Sequence, residues 1–308
     1  MMQLQEKYFQ SKDLITGGSG LVGSALGGGM KPSSKKLNLL SPTSTIEWFE
    51  DNLPHRVVHC AGRVGGIKAN MEKKATFFRE NMLMGLNLFE ACRVYKVQKV
   101  VSFLSTCIFP DEATYPLTPE QITSGPPHES NYGYAYAKRM LHIQSMAYRE
   151  EYGMNIISLI PCNIYGPDDN FNLETSHVLP ALIHKFYLAH NNGDDVEIWG
   201  TGKEKREFLF SQDLNQIVNW ALDDYNESIP LIISPEEEYE IRDVVQIIKE
   251  EFDFSGTVFY NGEMSGQLRK PSDSNKFYEI GAPNLTPIDV GIRKTIKWFV
   301  QNYKKARI

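Results

Sequence analysis

Leu14-Ile15-Thr16-Gly17-Gly18-Ser19-Gly20-Leu21-Val22-Gly23 is the stretch on which the fold is decided. A short apolar run ends at Thr16 and opens at once into a GxxGxxG loop. Gly17 permits a tight turn, Gly20 lets the backbone approach a pyrophosphate, and Gly23 permits close packing of the helix that follows. Such a helix start offers free N–H groups and a partial positive charge to phosphate. Read alone, the same pattern also fits a tight strand-to-helix turn with no ligand.

Outward from the loop, apolar runs alternate with amphipathic stretches. Strands are expected over residues 13–16, 56–60, 99–104 and 155–160, and helices over 75–95 and 134–152. That alternation predicts an α/β fold, a Rossmann-like doubly wound parallel sheet with helices on both faces. Beyond Pro161 the pattern changes. Residues 163–210 read as loop-rich around a helix at 179–190, followed by helices over 212–224, 241–252 and 290–303 and a strand over 231–234.

The second strand of such a sheet usually ends in an acid that holds a ribose 2′-hydroxyl. No acid stands between Gly23 and Glu47; Lys31, Lys35 and Lys36 occur there with Ser33 and Ser34. Cations suit a 2′-phosphate, so NADPH/NADP is the expected cofactor. The same segment is unusual. Ala25-Leu26-Gly27-Gly28-Gly29-Met30-Lys31-Pro32 is a poor helix and a poor strand, so the first helix reads as truncated and the second strand as short or missing. Residues 1–162, with a return near 211–234, are expected to form the NADP-binding domain. Residues 163–308 are expected to be mainly a smaller C-terminal α/β substrate domain.

Tyr134-Ala135-Tyr136-Ala137-Lys138 contains YxxxK. Residues four apart share a helix face, so Lys138 should sit near Tyr134 and lower the pKa of its phenol, making it a proton donor to a carbonyl oxygen. Ser105, after the third strand, could hydrogen-bond the same oxygen. The glycine loop, Ser105 and YxxxK together resemble the extended short-chain dehydrogenases. Further blocks resemble the GDP-L-fucose synthases among them: Val64-Gly65-Gly66-Ile67-Lys68-Ala69-Asn70, Ser105-Thr106-Cys107-Ile108-Phe109-Pro110, Asn163-Ile164-Tyr165-Gly166-Pro167-Asp168-Asp169-Asn170-Phe171, Ser176-His177-Val178-Leu179-Pro180 and Trp199-Gly200-Thr201-Gly202.

The resemblance implies 3,5-epimerisation and NADPH-dependent 4-reduction of GDP-4-keto-6-deoxy-D-mannose to GDP-L-fucose. It implies that Cys107 and His177 exchange protons at C3 and C5, with Ser105, Tyr134 and Lys138 at the C4 oxygen. Read by themselves, Cys107 also fits a core thiol and His177 a helix cap or packing residue. The resemblance further implies cofactor contacts from Gly17, Gly18, Ser19, Gly20, Leu21, Val22, Gly23, Ala61, Leu104, Lys138, Pro161, Cys162, Asn163, Ile164 and His177. Substrate contacts would come from Asn163, Lys185, Trp199, Arg206 and Lys270. Helices over 75–95 and 134–152 would pair two copies into a homodimer. Departures from that family are the shortened segment, Ala61-Gly62-Arg63, Cys162 in place of a usual Thr, and Ser265-Gly266 in place of Asp-Gly. Two other readings stay open: another nucleotide-sugar epimerase or dehydratase, and a non-catalytic binding protein on an NADP fold.

A formal net charge of −6 excludes a general nucleic-acid binder, and no apolar run nears the roughly 20 residues of a membrane helix. The four cysteines show no CxxC pair and no metal-ligand spacing, so free thiols, no metal and a cytoplasmic location are expected.

Overall fold

Five strands that are apolar and buried on both faces cannot stand at a surface, and here they pair in parallel at the centre of the molecule. The computed structural model describes residues 9–262 and 268–308; the departure expected at Ser265-Gly266 lies outside them. In chain order the elements are β1 (Leu14–Thr16), α1 (Leu21–Ala25), α2 (Pro42–Asn52), β2 (Arg56–His59), α3 (Ile67–Glu72), α4 (Lys74–Val94), β3 (Lys99–Phe103), α5 (Tyr132–Tyr152), β4 (Ile156–Pro161), β5 (Asn163–Tyr165) and α6 (Val178–Asn192). There follow β6 (Val196–Ile198), β7 (Lys205–Arg206), β8 (Phe208–Phe210), α7 (Asp213–Asp224), β9 (Leu231–Ile233), β10 (Tyr239–Glu240), α8 (Ile241–Glu251), β11 (Val258–Tyr260), α9 (Asn275–Glu279) and α10 (Ile288–Asn302).

The central sheet runs β1-β2-β3-β4-β9, every pair parallel. Successive side chains alternate between faces. Val57, Val100 and Ile156 join Phe49, Leu88, Phe89 and Leu141 under α2, α4 and α5. Their neighbours Val58, Val101 and Ile157 join Leu214, Ile217 and Val218 under α7. Lys99 is buried beside that helix, and its Nζ donates to the carbonyls of Ala221 and Leu222 at its last turn, both at 2.8 Å.

The shortened segment resolves into a specific arrangement. α1 stops after five residues, and the chain turns through Gly28 (φ 71) and Gly29 (φ 67). Met30 then makes a single parallel bridge to Leu14. Its N–H donates to Asp13 O at 2.7 Å and its carbonyl accepts from Ile15 N at 2.9 Å. The expected second strand is thus reduced to one residue, which still satisfies the backbone on that edge of β1.

Around the expected helix, the loop-rich residues 163–210 carry four short strands that the sequence reading did not include. β5 pairs in parallel with β8, β6 pairs in parallel with β11, and β7 pairs antiparallel with β10. These strands have two or three residues each, too few to show a period, and β6 and β7 find partners far along the chain. A separate core gathers around them, with Phe171, Leu182, Phe186 and Ile198 against Val244 of α8 and Phe299 of α10.

Candidate active site

The glycine loop is shaped by backbone contacts that leave no room for a side chain. Gly17 has φ 69, and a Cβ there would lie 2.8 Å from the Ala61 backbone at the end of β2. At Gly23 a Cβ would lie 2.3 Å from Gly17 O, and at Gly18 it would lie 2.6 Å from the Lys31 side chain. Lys31 therefore arrives directly on the loop after the Met30 bridge, and its Nζ donates to Leu26 O. Gly20 stands at the start of α1 with no side-chain cap, so the first N–H groups of Leu21, Val22 and Gly23 are not taken up by a capping side chain. This cradle fits the pyrophosphate of a dinucleotide.

From β2 the chain passes Ala61 and Gly62 on its way to α3. A Cβ at Gly62 would lie 3.8 Å from Lys138 Nζ, and one at Gly66 would lie 2.8 Å from Ser176 O. The loop thus runs from Lys138 to the segment that carries His177. Asn81 of α4 holds it: Arg63 N donates to Asn81 Oδ1 and Asn81 Nδ2 to Arg63 O, both at 3.0 Å. The Arg63 guanidinium pairs with Glu80 at 2.8 Å, so this departure from the family pattern is engaged away from the glycine loop. Asn70 Nδ2 donates to Gly65 O at 2.7 Å and closes the far end.

After β3, Ser105 opens a single 3-10 turn over Thr106–Ile108, and its Oγ accepts from Cys107 N at 3.4 Å. Arg139 holds this turn against α5, with Nε donating to Ile108 O at 3.0 Å and Nη1 to Gly125 O at 2.8 Å. Arg139 and Asn81 are positioning residues that sequence reasoning missed, because a polar residue on an amphipathic helix carries no local signal of its distant carbonyl partner.

Tyr134 and Lys138 share a face of α5, with Nζ 5.9 Å from the phenol ring. Their electrostatics correct the sequence expectation. Lys138 is buried and spends a donor on Phe103 O at 2.8 Å. Burial pushes the Tyr134 phenol above its ordinary value, and the adjacent Cys107 pushes it the same way. Burial also brings the Lys138 ammonium down to about 8, against the raising effect of Cys107 and Cys60. Tyr134 therefore rests as a protonated phenol, which is the form a proton donor needs.

Cys107 is half-buried and packs against the core under α4 and α5, whereas Cys92 is fully enclosed. Burial raises its pKa, while Ser105, Lys270 and Lys138 oppose that rise. His177 is the first residue outside α6 and makes no capping bond with its side chain. The residue as a whole is exposed, yet burial around the imidazole lowers its pKa below the usual value, so it is neutral near pH 7. The structure thus removes the capping reading of His177.

The remaining candidates fall into two places. Lys270 faces Cys107 and Arg206 electrostatically, and burial lowers the pKa of both cations. Beside them lies a cleft of about 370 Å³ lined by Tyr115, Glu236, Glu238 and Arg269. Trp199 is 65% exposed, with Lys185 Nζ 4.8 Å from its ring centroid. Pro161 and Cys162 are buried at the end of β4, Leu104 is buried after β3, and Ile164 is half-buried in β5. Asn163 donates to Glu207 O at 2.8 Å. A second cleft of about 310 Å³, between the end of α1 and the start of α7, contains none of the candidate catalytic residues. Among the described residues no cluster of His, Cys, Asp or Glu could hold a metal.

Gly133 sets how closely α5 approaches α4. A Cβ there would lie 2.4 Å from Lys74 O, a backbone atom that cannot swing aside. Gly133→Ala should cost about 1–3 kcal/mol of stability by overpacking, read as a lower urea midpoint at unchanged m value. An unchanged midpoint would mean that the two helices do not meet so closely.

The site can be set against known proteins. The profile of the NAD dependent epimerase/dehydratase family matches residues 30–234, beginning at the bridge residue Met30. The chain is 44% identical to GDP-L-fucose synthase of Dictyostelium discoideum, over 96% of this chain and 97% of that protein. The chain belongs to the NAD dependent epimerase/dehydratase family, among its GDP-L-fucose synthases. The probable GDP-L-fucose synthase of Drosophila melanogaster is 36% identical over 96% of this chain and 99% of its own. A crystal structure of a GDP-L-fucose synthetase from Naegleria fowleri bound to NADP superposes with a TM-score of 0.92 at 37% identity, covering 98% of this chain and 96% of that one. Membership of the family accounts for the glycine loop, the parallel sheet and the YxxxK helix together.

Proposed function

We propose that the protein is a GDP-L-fucose synthase, converting GDP-4-keto-6-deoxy-D-mannose to GDP-L-fucose with NADPH, in GDP-L-fucose biosynthesis. The observation that carries the reading is the meeting of a thiol, a protonated phenol and two cations: Cys107 with Tyr134, Lys138 and Lys270. C3 and C5 both flank the C4 ketone, so one polarised carbonyl acidifies both protons. Ser105 and Tyr134 polarise that oxygen. Cys107 and His177 are the proton-exchanging pair, one withdrawing the proton and the other supplying one on the opposite face. Their resting forms, thiol and neutral imidazole, each stand one proton from the form that the partner step needs.

The cofactor is NADP(H), held by residues 17–23, Ala61, Leu104, Lys138, Pro161, Cys162, Asn163, Ile164 and His177. NADPH supplies the hydride for C4. Tyr134 then protonates the C4 oxygen, with Lys138 keeping a positive charge beside it. Lys270 and Arg206 suit the substrate diphosphate, with Lys185, Trp199 and Asn163 as further contacts. Residues 1–162 with the return near 211–234 serve as the cofactor domain, and 163–308 mainly as the substrate domain. The non-catalytic alternative rested on the shortened segment; Met30 on β1 and Lys31 against Gly18 favour the enzyme.

A homodimer through α4 and α5 is part of the proposal, supported by Phe78, Leu86 and Val94 exposed along α4. The proposed compartment is the cytoplasm, supported by four cysteines that are all free thiols. No helix among the described residues is long and apolar enough to cross a membrane.

The test is product analysis with the purified protein, NADPH and the keto sugar. Cys107→Ser should lower wash-in of solvent deuterium at the exchangeable carbons by roughly 100-fold or more while leaving NADPH affinity within about twofold. Equal loss of both would remove the assigned role, and absence of GDP-L-fucose from the wild-type reaction would remove the function.

A further inference from the structure

We propose that Arg307 is a positioning residue for His177, acting through the loop at 168–172; the inference rests on the proton-exchange role proposed for that histidine. Arg307 lies beyond α10, far along the chain from any candidate catalytic residue. Its guanidinium donates to Asp168 O, its carbonyl accepts from Phe171 N at 2.7 Å, and it bridges in parallel with Asn170. One residue thus fixes both ends of the loop.

The loop needs such a hold. Asp168 has φ 61, a left-handed conformation that a residue with a Cβ keeps only when its surroundings enforce it. The next side chain, Asp169, is buried with Oδ1 accepting from Asn170 N at 2.7 Å and Oδ2 without a partner. Burial pushes this carboxyl up to about 7, and the positive charge of Arg307 opposes the shift. Phe171 is clamped separately. Its ring stacks on Phe299 with centroids 4.3 Å apart, and its carbonyl accepts from His184 Nδ1 at 2.8 Å.

The fixed loop leads directly into the turn before His177. Asn170 Nδ2 donates to Thr175 Oγ1 at 3.0 Å, and Asn172 Oδ1 accepts from Glu174 N and Thr175 N, each at 3.0 Å. Thr175 O then accepts from Gly66 N at 2.9 Å, which joins the turn to the loop that passes Lys138. Two residues later comes His177, itself exposed and without a hydrogen bond from its ring to hold a cap. Its backbone is held on one side by α6, where Ala181 N donates to its carbonyl at 3.1 Å, and on the other by the turn that Arg307 ties to the segment after α10.

The test is a double-mutant cycle on solvent deuterium wash-in to the keto sugar, using the full chain. Arg307→Ala should slow exchange roughly tenfold in the wild-type background and change it less than about twofold in the His177→Ala background, because a residue that acts through His177 has nothing left to position. Arg307→Lys, which keeps a cation and a donor, should restore most of the rate. An equal loss in both backgrounds, or no loss, overturns the proposal. If the wild type exchanges no deuterium, the proposed function itself has failed. The positioning is then decided by the His177 ring resonance in histidine-labelled protein. A shifted or broadened signal in Arg307→Ala upholds it, and an unchanged one overturns it.

Discussion

Replacing Tyr134 with Phe should lower turnover of the keto sugar by roughly 100- to 10,000-fold, the range expected when a positioned proton donor is lost. The ring stays, so the packing of α5 on the turn at 105–108 is kept and NADPH affinity should hold within about twofold. Only the hydroxyl is removed. Hydride addition at C4 places negative charge on oxygen, and Tyr134 is the half-buried phenol with its proton still in place, since burial has raised its pKa. Proton exchange at C3 and C5 should fall too, because the enolate uses the same oxygen. A variant that kept more than about a tenth of wild-type turnover would show that another group protonates O4. A pH profile bears on the same site. Lys138 is brought down to about 8, so kcat/KM should decline as pH rises past that value and the ammonium beside the phenol is lost. A flat profile to pH 9.5 would detach Lys138 from the chemistry.

Gly23→Ala should weaken NADPH binding by roughly 10- to 100-fold. The added methyl would lie 2.3 Å from Gly17 O and 2.7 Å from Gly18 Cα, both backbone atoms of the loop that would hold the pyrophosphate. Relief requires the loop and α1 to part, which costs about 1–3 kcal/mol, and each 1.4 kcal/mol is tenfold in affinity. The surroundings of the loop offer little resistance to the change. α1 has five residues, and the edge of β1 beside it is closed by Met30 alone, so few contacts resist the displacement. Fluorescence titration reads the affinity. An unchanged dissociation constant would mean that the pyrophosphate does not lie on residues 17–23.

Much of the site was legible because its signals are local. The turn into Gly17, the face shared by Tyr134 and Lys138, and the helix opening after His177 each depend on residues within a few positions of one another. The five strand expectations of the central sheet fall within one residue of β1, β2, β3, β4 and β9 for the same reason: each is centred on a short run of adjacent apolar residues. The short strands β5 to β8 were not legible, since two or three residues show no period and β6 and β7 pair with segments far along the chain.

The sequence by itself determined the five strands of the central sheet, the helices α4 to α8 and α10 and the glycine turn, and it named the candidate residues for moving protons. Tertiary structure alone decided that Met30 would stand in for a strand, that Lys138 would donate to Phe103 O, and that Tyr134 would rest protonated instead of lowered toward ionisation. It also brought Arg307 onto Asp168 from beyond α10. The physical reason is common to all four. Periodicity and turn chemistry act between neighbours in the chain, whereas desolvation and hydrogen-bond satisfaction depend on which distant atoms close over a group once the core has formed.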